Sequence, residues 1–70
     1  MAIEKVTLPV ARKIAKISQK TLAEKVGVTE KTVVNWEKGR TEPTVSQAQA
    51  ISVVTGVPLD TIIFLPESTV

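Results

Sequence analysis

The chain has 70 residues, no Cys and no His, 43% apolar residues and a formal net charge of +2. A chain this short buries only about 60% of the surface its unfolded form exposes, so one domain of modest stability is expected, with no room for a large catalytic cleft. Its apolar runs fall far short of the roughly 20 residues a membrane span needs. The opening Met1-Ala2-Ile3-Glu4-Lys5 lacks the basic-then-apolar pattern of a signal peptide, and the absence of Cys removes any disulfide framework. A soluble, cytoplasmic protein is expected.

The charge is unevenly spread. Between Arg12 and Arg40 lie eight basic residues and three acidic ones (Glu24, Glu30, Glu37), a local balance of +5, while the rest of the chain sums to −3. Such a local field draws polyanions, although surface Lys also serves solubility alone. Catalysis has little to work with: the only Asp is Asp60, and no carboxylates pair at a spacing suited to acid/base chemistry. The same lack of ligand types argues against a metal site. Neither an enzyme nor a cofactor is expected.

Residues 1–6 give no strong signal and read as a frayed arm or a short packing segment. Thr7 can cap a first helix over Leu8–Ala15, with Pro9 in the first turn, where a missing N–H costs nothing. The inward stripe of that helix is Leu8, Ala11, Arg12 and Ala15, so a charged residue lies among apolar ones and calls for a partner. Ser18 can cap a second helix in which Leu22, Ala23 and Val26 share one face. Gly27 follows where a helix end favours a residue tolerant of positive φ, and Val28 can plug the gap between helices. Thr29 can cap a third helix, with Val33 and Trp36 inward and Glu30, Lys31, Val34, Asn35 and Lys38 on an outer face open to a partner.

Glu37 to Pro43 form a polar loop, with Gly39 as the helix stop. Thr44 or Val45 starts a fourth helix burying Ala48, Ile51, Ser52 and Val54 or Thr55, closed by Gly56. A fifth helix over about Leu59–Phe64 would carry Leu59, Ile62, Ile63 and Phe64. With Leu65 this is more apolar surface than one short helix needs internally, so self-association through this helix and its neighbour is expected. Residues 66–70 read as a tail. The expected architecture is all-α: a compact bundle of five short helices in a single domain, with its core at about 7–65 and a helix-turn-helix at 19–38.

Counting from Gln19 as position one, Ala is fifth, Gly ninth, Val fifteenth and Trp eighteenth, the spacing required by two helices that cross steeply over a tight turn. The string Ser-Gln-x-x-Leu-Ala-x-x-Val-Gly-Val-Thr-x-x-Thr-Val-x-x-Trp-Glu-x-Gly resembles the helix-turn-helix of Cro/cI-type phage repressors and the wider XRE-like regulators. Pro43-Thr44-Val45 and Thr55 to Asp60 resemble the starts of that family's fourth and fifth helices, so the likeness covers roughly Leu8 to Phe64. Lys16 departs from it, standing where the family usually has Gly.

The resemblance implies a sequence-specific regulator of double-stranded DNA, either a repressor or a Cro-like protein. The outer helix would lie in the major groove, the second helix across the backbone, and two copies would act as a homodimer on the operator. The alternative is an antitoxin or adaptor that uses the same fold mainly to hold a protein partner through its apolar C-terminal helix. Gln19, flanked by Lys20 at a helix N-terminus, can donate its amide and backbone N–H to a phosphate; it can equally be a solvated helix residue. Glu30 and Lys31 suit a helix start and a solvated surface, but by resemblance they face base edges. Lys31 can then bond guanine O6/N7, Glu30 can accept from cytosine N4, and Asn35 can pair with adenine N6/N7. Val34 is either an exposed valine or a contact for a thymine methyl.

Thr29 and Thr32 can add hydroxyl contacts to phosphates, although Thr29 is first of all a cap. Lys38, Arg40 and Thr41 run on from the outer helix as phosphate contacts, diluted by Glu42. Trp36 reads as a core anchor, because base stacking would need an exposed ring. Related repressors pair an Arg seven residues before the Gln of the second helix with a Glu at the end of the recognition helix. Arg12 and Glu37 occupy those positions and are expected to form a structural ion pair.

Overall fold

Ser or Thr stands immediately before three helical runs, and each hydroxyl closes a helix start. The computed structural model describes residues 5–64. Its elements are β1 (Val6–Thr7), α1 (Leu8–Ile14), α2 (Gln19–Val26), α3 (Glu30–Glu37), α4 (Val45–Thr55), a 3-10 turn (Leu59–Thr61) and β2 (Ile62–Ile63). Ser18 Oγ accepts from Thr21 N at 3.1 Å, and Thr29 Oγ1 accepts from Thr32 N at 3.2 Å. Thr44 forms a reciprocal capping box: its Oγ1 accepts from Gln47 N at 3.2 Å, while its own N–H donates to Gln47 Oε1 at 2.8 Å. Each cap satisfies a backbone donor that the helix itself leaves unpaired, an effect of about 1 kcal/mol. Thr7 occupies the N-cap position of α1 but makes no side-chain cap bond.

Ala15 is the C-cap of α1, and Lys16 follows in the left-handed region at φ 62°. Lys16 N donates to Lys13 O at 3.0 Å and Ile17 N to Arg12 O at 3.2 Å, the two bonds of a Schellman ending. That ending turns the chain sharply and seats Ile17 against the core. Its central position favours Gly, because a side chain there crowds the following carbonyl. Lys16→Gly is therefore expected to stabilise the fold by about 0.5–1 kcal/mol, read as a raised urea midpoint at unchanged slope. A lowered midpoint would show that the Lys side chain contributes more than the strain costs.

The core gathers one face from each helix. Leu8 and Ala11 come from α1, Leu22 and Ala23 from α2, Val33 and Trp36 from α3, and Ile51 from α4, joined by Val57 and Ile62. Thr55, the buried polar residue at the end of α4, is fully engaged: its Oγ1 donates to Ile51 O at 2.8 Å and accepts from Val57 N at 3.3 Å. Of the positions expected to be buried on the fourth helix, Ile51 and Thr55 are, while Ala48, Ser52 and Val54 are half-buried.

The fifth helix is corrected. Where a helix over about Leu59–Phe64 was expected, a single 3-10 turn closes with Thr61 N donating to Pro58 O at 2.9 Å, and the chain then extends. Ile62 and Ile63 pair in parallel with Val6 and Thr7, in the register Val6↔Ile62 and Thr7↔Ile63. Thr61-Ile62-Ile63 is β-branched throughout and fits an extended backbone better than a helix. The fold is thus a helical domain of four α-helices with one two-stranded tie between the two ends of the described chain. Ile62 is buried, and Ile63 and Phe64 are half-buried, with Phe64 packed on the core. Ile62, Ile63 and Phe64 thus keep little of their apolar surface exposed, while Leu65 of the same set lies outside the described residues. Expectations placed on residues 1–4 and on Leu65–Val70 lie outside the described residues.

Candidate nucleic-acid interface

Gly27 terminates α2 at φ 91°, and its N–H and that of Val28 both donate to Ala23 O, at 2.8 and 2.9 Å. A residue with a Cβ would be strained there even though nothing lies within 4 Å of that position. The tight turn delivers Thr29 as the cap of α3, and α3 packs chiefly on α2. Ala23, 2% exposed, is the small residue beneath that crossing. Val33 and Trp36, at 0% and 4% exposure, hold the inner face of α3 in the core.

The opposite side of α3 carries the expected contact residues. Glu30, Lys31 and Lys38 are exposed, and Val34 and Asn35 are half-buried at the margin of the same side. Lys31, Asn35 and Lys38 follow at i, i+4 and i+7 and share a face, as do Glu30, Val34 and Lys38. The helix ends in a Schellman motif, in which Gly39 N donates to Trp36 O at 3.1 Å and Arg40 N to Asn35 O at 3.0 Å, with Gly39 at φ 76°. Arg40 and Thr41, both exposed, follow this ending directly in the chain. Lys20 is exposed on the first turn of α2. The hydroxyls of Thr29 and Thr32 lie 2.9 Å apart and share a hydrogen bond.

Beneath this surface three helices are tied together at one carboxylate. Arg12 Nε donates to Glu37 Oε2 at 2.8 Å, and Arg12 Nη2 reaches Oε1 at 3.5 Å. Arg12 Nη1 donates to Ile17 O at 3.1 Å, which adds the loop after α1 to the network. Gln19 Nε2 donates to Glu37 Oε1 at 2.8 Å. The Arg12 and Glu37 side chains are 16% and 8% exposed, so the pair sits largely out of water. Glu37 is thereby held from α1 by Arg12 and from the start of α2 by Gln19. The Gln19–Glu37 bond was not anticipated from the sequence, although the two residues open and close the helix pair. Its amide keeps a second N–H and its carbonyl oxygen for another partner.

Among the described residues no cluster of His, Cys, Asp or Glu could hold a metal ion, and no helix is long and apolar enough to cross a membrane. No curated protein and no solved structure gives a significant match. A family model described as helix-turn-helix does match, over residues 10–62, a span that takes in α2, the Gly27 turn and α3 and extends through α4 to Ile62. A capped helix pair with a buried inner face and a polar outer one, within a match covering most of the chain, means that this protein belongs to the helix-turn-helix family of Cro/cI-type, XRE-like DNA-binding regulators.

Proposed function

We propose that the protein is a cytoplasmic, repressor- or Cro-like transcriptional regulator that reads double-stranded DNA through the outer face of α3. The observation that carries this reading is the arrangement of exposed Glu30, Lys31 and Lys38, with Asn35 beside them, on a helix whose opposite face is anchored by Val33 and Trp36. In the major groove, Lys31 would donate to guanine O6/N7, Asn35 would pair with adenine N6/N7, Glu30 would accept from cytosine N4, and Val34 would meet a thymine methyl. Gln19, Lys20, Thr29, Thr32, Lys38, Arg40 and Thr41 would follow the flanking phosphates, which position the protein without reading sequence. One eight-residue helix spans few base pairs, so two copies would bind half-sites about 34–36 Å apart on one face of the duplex.

Selection of bound sequences from random duplex DNA at fixed salt tests this. A two-fold related pair of short motifs is expected. The binding constant of the selected duplex should fall with salt at a log–log slope of about −5, as Lys20, Lys38 and Arg40 of two copies displace counterions at roughly 0.9 per phosphate. Recovery of no preferred sequence, or a slope near zero, would overturn the reading.

A further inference from the structure

Helix α4 presents a stripe to solvent that no other element of the described chain covers. Val45 is 74% exposed and Val53 82% exposed, and exposed Gln49 lies midway between them, so the three follow at i, i+4 and i+8 along one line of the helix. No Asp, Glu, Lys or Arg occurs from Pro43 to Leu59, although the chain is 23% charged overall. The stripe is also symmetric about its centre: read in either direction it is Val, Gln, Val.

We infer that this stripe is the surface through which a second copy of the chain docks, with α4 crossing α4 of its partner in antiparallel fashion about a two-fold axis at Gln49. The inference rests on the proposal that two copies act together, and it names the surface they would use. A two-fold interface must be self-complementary, because wherever residue i of one copy meets residue j of the other, j of the first also meets i of the second. The Val–Gln–Val line satisfies that condition. Val45 meets Val53 of the second copy, and the two Gln49 amides, each with a donor and an acceptor, bond one another reciprocally. A stripe of like charges would repel its own copy, and this one carries no charge. Ser46 and Ala50 flank the line and are small enough to let the helices approach along their i±4 ridges.

Helix α4 packs on α2, α1 and the 3-10 turn. A contact through its free side leaves the outer face of α3 available on both copies. An 11-residue helix is only about 16 Å long, so the contact stays below the roughly 1,000 Å² of a stable interface and yields a weak dimer that DNA completes.

The chain has no Cys, so a single introduced thiol reports the geometry directly. Helices crossing at about 8–10 Å, with Cα atoms about 2.3 Å from each axis, place the two residues at the crossing roughly 5 Å apart, within the range a disulfide spans. Residues four positions from the axis stand roughly 12 Å from their own counterparts, beyond that range. Under mild oxidation of concentrated protein without DNA, Gln49→Cys is expected to form disulfide dimer at least about tenfold faster than Val53→Cys. The gap should widen on a duplex carrying two selected half-sites.

The helix-favouring Val45→Ala/Val53→Ala variant should weaken binding of the second copy by at least about tenfold, with single half-site affinity within about twofold of the parent. Equal oxidation rates at the two positions, or second-copy binding unchanged in the alanine variant, would overturn the inference. If no duplex is bound at all, the DNA reading fails by itself, and the oxidation rates without DNA still decide the surface.

Discussion

Arg12→Ala and Glu37→Ala are each expected to cost about 3–5 kcal/mol of folding stability, whereas Arg12→Met/Glu37→Leu recovers most of the loss. The pair contributes little net energy when intact, because both charges give up water to meet. Removing one partner strands the other. Without Arg12, the Glu37 carboxylate keeps only the amide of Gln19 at 2.8 Å, at a site where its side chain is 8% exposed. Without Glu37, Arg12 keeps the carbonyl of Ile17 at 3.1 Å, and its long stem lets the guanidinium swing toward water. Arg12→Ala should therefore be the costlier single change.

In a domain of this length the total is of the order of 0.05–0.15 kcal/mol per residue, so either loss takes much of it. The end of α3 would loosen with it, and DNA binding would fall for every sequence. A denaturant double-mutant cycle measures the coupling. Two singles each costing less than about 1 kcal/mol, with no coupling, would place the pair in the class of exposed ion pairs and refute the assignment.

Lys31→Ala and Asn35→Ala should each change which operators are bound, by about 1–3 kcal/mol at one base position, whereas Arg40→Ala should weaken all operators alike and reduce the salt slope by about 1. Two kinds of contact are at work. Lys31 and Asn35 sit one turn apart on one side of α3, where each would bond a particular base edge. Arg40 lies beyond the Gly39 stop, where a guanidinium would meet a phosphate whatever the base. Binding of the three variants to a panel of single-base operator variants separates these outcomes. A uniform loss for all three would remove the base-reading role from Lys31 and Asn35 while leaving the phosphate role intact.

Much of the helix-turn-helix was legible because its determinants are local. Ser18, Thr29 and Thr44 each cap through a bond to the residue three positions on, and a reader of the sequence sees both ends of that bond. Gly27 and Gly39 stop helices through backbone conformation alone. The inward positions Leu22, Ala23, Val33 and Trp36 follow from helical periodicity, and all four are buried. Arg12 within an apolar stripe announced the need for a partner, and Glu37 came from the resemblance.

What the tertiary structure decided is what depends on residues far apart in the chain. Leu59 to Phe64 is a short apolar stretch whose spacing fits helix or strand, and the choice fell to Val6 and Thr7, which supply backbone pairing that a local reading cannot see. That pairing turned Ile62 inward, and the large apolar side chains left exposed among the described residues are Val10 and Ile14 on α1 and Val45 and Val53 on α4. Val57 entered the core because the bonds from Ser52 Oγ to Val57 O and from Val57 N to Thr55 Oγ1 hold the chain after Gly56 against the end of α4. Gln19 reached Glu37 only once the crossing of α2 and α3 had brought the first residue of the pair beside the last. Capping and periodicity act within one or two turns and can be read from the chain itself, whereas strand partners and side-chain networks are chosen by packing, which exists only after the helices have met.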